Sequence, residues 1–311
     1  MSEEKKLYPM KFVPTAVNQA WGEDTIVFGD LGYVDSTVDN GWLGGNSISE
    51  VMDMFMDRLT GENAFGYYGR QFPTMMRMMD VKGDFPVLVC PDDKIAEQRY
   101  DALGKAKYWY VTEAGADAAV YIGFEKDVKS ADVYEAAGKG DLKKYMHRIP
   151  VKKGDAFFIA PGVAHSASGK VGIAEIAESS GLDFNLAEDV VEVLDFLKLG
   201  PAAEEKNKVF RVELFDLKTP LRISGNESDY FVGYLCVSGK AAVEVRDTEA
   251  GTSDICPVKK GEGVVIPAEV SDYALVPEEE NTVLLEVTIP EYDQTDEYIN
   301  PDAEPTLPGE E

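Results

Sequence analysis

Side chains able to do metal or nucleophilic chemistry are scarce in this chain. It has two histidines, His147 and His165, and three cysteines, Cys90, Cys236 and Cys256. A His-rich metal site cannot be assembled from that set. An odd, sparse cysteine count predicts no disulfide framework and fits a reducing compartment. The CxxC, GxGxxG, GxxxxGK[ST] and GxSxG patterns are all absent. Redox dithiols, dinucleotide and phosphate loops and a serine-hydrolase elbow therefore have no sequence support. The residue best placed for chemistry is His165, which closes the run Gly154–His165, GDAFFIAPGVAH. The glycine starts a strand, and Pro161-Gly162 forces a tight turn just before the histidine. His147, beside Arg148 at the end of a predicted helix, reads as a surface or capping residue.

The elements that must position His165 are announced by an internal repeat. Residues 151–167 read VKKGDAFFIAPGVAHSA and residues 258–274 read VKKGEGVVIPAEVSDYA. In both, a Gly-acid pair makes a turn, an apolar run makes a strand, and Pro161 or Pro267 ends it. Short Val/Tyr/Trp-rich runs flank each copy: 86–90, 107–112, 118–124 and 171–176 around the first, 208–217, 230–237, 241–245 and 282–289 around the second. Many short strands at even spacing predict β-barrels or sandwiches. Helices are expected over 47–59, with Ile48, Val51, Met52, Phe55, Met56 and Leu59 on one face, over 129–148 with a break at Gly138–Gly140, and over 187–198. The methionines at 52, 54, 56, 75, 76, 78 and 79 read as core packing. Gly200-Pro201 marks a boundary, giving an N-terminal domain over 1–200, a second over 201–290 and an acidic tail over 291–311 with eight acids and no Lys or Arg.

The block KYMHRIPVKKGDAFFIAPGVAH at 144–165 resembles the second signature of the cupin barrel. With Trp21-Gly22, Phe72-Pro73, Asp80–Lys82, Pro91–Asp93 and the Gly104–Tyr110 segment, it resembles the short bacterial class I mannose-6-phosphate isomerases over most of residues 10–290. The resemblance implies a mainly β fold: two cupin-type jelly-roll barrels in tandem, with a few helices inserted around the first. It implies an aldose–ketose isomerase interconverting mannose 6-phosphate and fructose 6-phosphate. In that family zinc in the first barrel acts as a Lewis acid on an enediol, and basic side chains meet the phosphate.

The chain departs from the family pattern where the metal should sit. The His of VHPDD is Cys90, and the Glu of GKxE is Lys107 in Gly104-Lys105-Ala106-Lys107. Only the third ligand, His165, is kept. Cys90 reads either as a thiolate ligand or as a small buried hydrophobe. Lys107 removes a carboxylate and brings an ammonium. A unit-charge repulsion is about 4 kcal/mol at 4 Å and an effective dielectric of 20, and a divalent ion doubles it. Lys107 could hold a sugar hydroxyl or carboxylate beside His165 and Glu175, or form a plain ion pair with Glu175. His165 is open to three roles: a satisfied histidine, a zinc ligand or a ligand contact. Lys105 matches a lysine the family keeps in its active site, to meet phosphate, and otherwise reads as a surface residue. Glu175 is retained as a catalytic position, but the catalytic arginine of ETQQNSDxTYR becomes Asn185, which has neither the charge nor the reach. The GExWxxS region reads DNGWLGGNS at 39–47, without its Glu. In the second repeat the position matching His165 is Asp272. These changes imply a degraded zinc site and an impaired, metal-free relative that binds a sugar or sugar phosphate; an active zinc isomerase is the alternative.

Charge narrows the partners. Thirty Lys and Arg stand against 57 Asp and Glu, a formal charge of −27. A polyanion is repelled by nucleic acid and by anionic membrane surfaces. With no apolar leader at the N-terminus and no long apolar run, the expectation is a cytoplasmic protein.

Overall fold

The computed structural model describes residues 5–202, 207–224, 230–247 and 252–290. The 291–311 tail lies outside them. The chain forms two compact units that interleave along the sequence. One comprises Val13–Val34 and Thr74–Val209; the other takes the N-terminal residues to Phe12, then Asp35–Pro73, then the chain from Phe210. They differ from the continuous 1–200 and 201–290 segments of the sequence reading, because residues 35–73 group with the later barrel.

The first unit is built on two antiparallel sheets. The larger runs Thr15–Gln19, Gly22–Phe28, Thr74–Val81, Val171–Glu178, Lys107–Ala114, Ala156–Ile159 in spatial order. The smaller runs Phe184–Asn185, Leu88–Val89, His165–Ser168, Ala119–Phe124, Met146–Pro150. Alternation puts one side of each strand inward, so Trp109, Val111, Val120, Ile122, Ile159 and Ile173 share a core. The helix Ser130–Lys139 places Val133, Ala136 and Ala137 in a second cluster with Val89, Phe124 and Leu186.

The second unit repeats the plan. One sheet runs Met10–Lys11, Gly263–Ile266, Val232–Ser238, Thr282–Thr288, Arg211–Leu217. The other runs Leu221–Ile223, Tyr273–Pro277, Lys240–Asp247, Thr252–Lys259. The helices Ile48–Phe55, Asp57–Thr60 and Glu62–Tyr68 belong to this unit, and the amides of Ala268 and Phe231 donate to the carbonyls of Leu59 and Thr60.

The repeat holds at the level of single hydrogen bonds. Gly154 and Gly261 both take positive φ, +93° and +84°, which glycine adopts without a Cβ penalty. The Lys152 amide donates to Asp155 Oδ2 and the Lys259 amide to Glu262 Oε2. The Val111 amide donates to the Asp155 carbonyl at 2.8 Å and the Cys236 amide to the Glu262 carbonyl at 3.0 Å, tying each turn to its neighbouring strand.

Several local expectations change. The predicted 47–59 helix breaks at Met56, whose φ is +46°. The end of the predicted 129–148 helix is the strand Met146–Pro150, where His147 is exposed and meets Glu125 at 3.3 Å. The predicted 187–198 helix shrinks to Val190–Val193. Met75, Met76 and Met79 are buried in a strand, Met52 is buried in a helix, and Met54 and Met56 are exposed rather than packed in the core. Among the described residues no helix is long and apolar enough to cross a membrane.

Candidate functional site

The site forms between the two sheets of the first unit, and strand register builds most of it. Glu175 lies opposite Arg77 on one side and Trp109 on the other, with Lys107 two residues before Trp109 on the same face. Cross-strand neighbours and their diagonals are within reach of long side chains. The Trp109 Nε1–H donates to Glu175 Oε2 at 2.6 Å, Lys107 Nζ lies 3.7 Å from that oxygen, and Arg77 Nη1 lies 3.5 Å from Oε1. Arg77 is also bidentate on Asp24, at 2.6 and 2.5 Å.

The other wall comes from the GDAFFIAPGVAH turn. Gly162 has φ +81°, and a Cβ there would lie 2.8 Å from the Phe196 carbonyl oxygen. Its amide donates to the Cys90 carbonyl at 2.7 Å, so the turn that aims His165 also fixes Cys90. His165 opens its strand and packs edge-on against Trp109, ring centroids 5.3 Å apart. Nδ1 is 3.0 Å from the Val163 carbonyl, to which it donates, so Nε2 carries the lone pair. Nε2 is buried without a hydrogen-bond partner among the described residues.

The centre of the cluster is Asp183, which the sequence reading did not single out. Phe184 pairs with Val89, which sets Asp183 beside Cys90. Asp183 accepts from Lys107 Nζ and from the Cys90 thiol at Oδ1, the latter at 3.3 Å, and from Lys105 Nζ at Oδ2, 2.6 Å. Lys105 is not a surface residue: its side chain is 1 % exposed and also donates to the Ser180 carbonyl at 2.7 Å. Gly104 sets its path, since a Cβ there would lie 2.5 Å from the Asp93 amide nitrogen. Beneath this loop the Ala106 amide donates to the buried Glu178 carboxyl at 2.8 Å.

Electrostatics follow from that geometry. Burial opposes every charge here, and pairing reverses the sign for most of them. For Lys107, burial is outweighed by the Asp183 and Glu175 carboxylates, which hold the ammonium above the ordinary lysine range. For Glu175, Lys107 and Arg77 outweigh burial and hold it low; for Asp183, Lys105 and Lys107 do the same. Burial, reinforced by Lys107, pushes His165 down to about 3, so it is neutral at physiological pH. Burial and the Asp183 charge push the Cys90 thiol up. The cluster thus holds three cations, Arg77, Lys105 and Lys107, against three anions, Asp24, Glu175 and Asp183.

Sequence reasoning had placed Cys90, Lys105, Lys107, His165 and Glu175 together, and the structure gathers these five. It leaves Asn185 out: Nδ2 donates to Glu188 at 3.0 Å, and Oδ1 accepts from the Ala187 amide. One ligand atom each of Cys90, His165 and Asp183 lies within 4.8 Å of the others. A histidine that donates from Nδ1 to a carbonyl and leaves Nε2 open is the usual posture of a metal ligand. The rest of the donor set does not fit a dication. The thiol is held protonated, and the carboxylate that would bind the ion is bonded to two ammonium groups, one of them on the same oxygen as the thiol.

A cavity of about 370 Å³ opens onto the cluster, with Asp24, Arg77, Lys105 and Asp183 among its lining residues. A larger one, about 450 Å³, lies in the second unit against Arg222, Glu244, Arg246 and Asp272, remote from these groups in sequence and built on a different sheet.

In the second unit the same frame carries other chemistry. Glu286 lies between Glu213 and Tyr234, as Glu175 lies between Arg77 and Trp109. Tyr234 meets Tyr273 edge-on at 6.3 Å, as Trp109 meets His165. Tyr273, rather than the sequence-matched Asp272, takes the histidine's part.

No family model matches the chain. A mannose-6-phosphate isomerase of Bacillus subtilis (strain 168) is 24% identical over 312 residues, covering 86% of this chain and 95% of that protein. The crystal structure of the Bacillus subtilis mannose 6-phosphate isomerase matches with a TM-score of 0.74 at 18% identity, over 90% of this chain and 99% of that one. A variant of the Salmonella typhimurium phosphomannose isomerase matches with a TM-score of 0.67 at 13% identity, over 91% of this chain and 100% of its own. Sequence likeness and architecture agree: over most of its length the chain is similar to mannose-6-phosphate isomerases, and it shares their cupin-type fold.

Proposed function

We propose that this chain is a metal-free, catalytically impaired member of the mannose-6-phosphate isomerase family, acting in carbohydrate metabolism by binding a sugar or sugar phosphate in the first barrel. The observation that carries the reading is the Lys107 ammonium bonded to Asp183 and 3.7 Å from Glu175, inside the only described group of convergent metal donors. A dication admitted there would meet that ammonium with a repulsion of about 8 kcal/mol at 4 Å and an effective dielectric of 20. The proton-transfer machinery is equally blunted. Glu175 is held well below the ordinary carboxylate range, which makes it a weak base. Asn185 brings no positive charge and bonds to its own loop. What remains is recognition: Asp183 and neutral His165 accept hydrogen bonds, and the enclosing strands hold them fixed.

The alternative, an active zinc-dependent isomerase interconverting mannose 6-phosphate and fructose 6-phosphate, draws on the open Nε2 of His165 and the nearby Cys90 and Asp183. Metal analysis of the protein as purified separates the two, together with an isomerase assay before and after zinc addition. The proposal expects far less than one zinc per chain and no turnover above blank. One tightly held zinc per chain with turnover would refute it.

A further inference from the structure

The first-barrel cavity has open carboxylate acceptor sites, and each cation on its wall is already paired with a carboxylate. Four charged side chains line it: Asp24, Arg77, Lys105 and Asp183. Arg77 commits Nε and Nη2 to Asp24 and turns Nη1 toward Glu175. Lys105 commits its ammonium to Asp183 and to the Ser180 carbonyl. The carboxylates are less fully used. A carboxylate offers about four acceptor sites, whereas Asp24 and Asp183 accept two and three bonds respectively from described groups.

A phosphate ester dianion brings acceptors alone and is recognised by uncommitted Arg or Lys donors. Here it would face two carboxylates at the cavity wall, a cluster of zero net charge, and a chain of formal charge −27. A polyhydroxylated neutral ligand brings donors for the open carboxylate sites and acceptors for the remaining N–H groups, and adds no charge. A volume of about 370 Å³ lies within the range of small-molecule sites. The ring of Tyr33 and the side chains of Val17 and Ile26 supply an apolar wall for the C–H face of such a ligand.

We infer that the cavity takes an unphosphorylated sugar or its alditol, held through its hydroxyls by Asp183 and Asp24, in preference to a sugar phosphate. The inference rests on the proposed reading that this site binds a carbohydrate, and it narrows the class. The test is calorimetric titration of the intact chain with D-mannose, D-fructose and mannitol, and with mannose 6-phosphate and fructose 6-phosphate, at about 50 and about 500 mM salt. A neutral ligand is expected to bind at least about tenfold more tightly than its 6-phosphate and to change less than about twofold with salt. A 6-phosphate that binds as tightly or more tightly would overturn the inference while leaving the carbohydrate reading intact. Binding of none of the five would overturn both. Zinc with turnover would refute the metal-free reading without touching this comparison. In Asp24→Asn, Arg77 is released, and the 6-phosphates should gain affinity; no gain counts against the inference. Should that variant fail to fold, Tyr33→Ala, at a position 67% exposed, is expected to weaken the neutral ligand about fivefold at unchanged Tm. Unaltered binding there would overturn the inference.

Discussion

Replacing Lys107 by methionine keeps the length of the side chain and removes its charge. The attraction lost with Glu175 alone, at 3.7 Å, is about 4 kcal/mol at an effective dielectric of 20, and desolvation of the ammonium offsets part of it. Deleting one partner of a buried pair costs roughly 3–5 kcal/mol, because the other charge stays buried. Glu175, fully buried, would keep only Trp109 and the longer Arg77 contact. At roughly 2–4 °C per kcal/mol for a domain of this size, Tm should fall by roughly 6–20 °C. The pH dependence has a definite sign. The folded pKa of Glu175 lies below its ordinary 4.5, so its share of stability is present above that pH and is lost as pH falls through the folded value. The folded pKa of Lys107 lies above its ordinary 10.5, so its share is present below that pH and is lost as pH rises through the folded value. The gap in Tm between parent and variant should therefore be widest between those two values and should narrow in acid. Lys107 also helps to depress His165, so the imidazole should titrate higher in the variant than its present value of about 3. With only two histidines in the chain, proton NMR can follow both. An unchanged Tm with an unmoved His165 titration would refute the claim that Lys107 is the cation of this site.

Three further outcomes follow from the same geometry. The double variant Cys90→His with Lys107→Glu restores the family's donor types. It should bind zinc, read as a stabilisation of about 2.7 kcal/mol at a free zinc level of 100 Kd, while turnover stays near blank as long as Asn185 remains; failure to take up zinc would show that Lys107 was not the obstacle. Glu178→Gln keeps an acceptor for the Ala106 amide and removes a buried acid whose pKa is raised by burial and by Asp93. A raised folded pKa costs stability increasingly as pH climbs above about 4.5, so the Gln variant should melt higher at neutral pH and equal the parent near pH 4; a pH-independent difference would contradict this. Gly22→Ala would put a Cβ 2.0 Å from the Asp80 carbonyl oxygen at φ +148°, and should cost more than about 1 kcal/mol by chemical denaturation.

What the sequence disclosed depended on how local the determinant was. The two VKKG turns were legible because a glycine followed by an acid encodes its own hydrogen bonds within four residues. His165 was legible for the same reason, since Pro161-Gly162 aims it from three residues away. Lys107 and Glu175 were recognised as a pair through the family pattern, although the bond depends on strand register between residues 68 apart in sequence. Asp183 was not recognised. It stands in a Ser-Ser-Gly-Leu-Asp run with no period of its own, and its three partners, Cys90, Lys105 and Lys107, come from more than 70 residues away. The strand Met146–Pro150 reads as helix in the sequence because the preceding segment is helical and the strand's partner, Ala119–Phe124, is invisible to local periodicity.

The second barrel shows what the Asp183 cluster adds. Glu286 occupies the register position of Glu175 and is likewise bonded by an aromatic neighbour, Tyr234, at 2.5 Å. In place of Arg77 it faces Glu213, and in place of Lys107 the strand carries Val232, each in the matching register. Burial then wins, and the Glu286 pKa rises where that of Glu175 falls. One backbone frame therefore holds a carboxylate ionised in one copy and biased toward its neutral form in the other, and the difference lies in two cations. Side chains at so few positions can set the charge state of a buried carboxylate without disturbing the fold, because each projects from a strand whose register is set by others. If that reasoning is right, Glu213→Arg with Val232→Lys should pull the Glu286 pKa below its ordinary 4.5, measured by NMR titration; a carboxyl that stays high would mean that the first barrel's charge state owes more to Asp183 and its loop than to register.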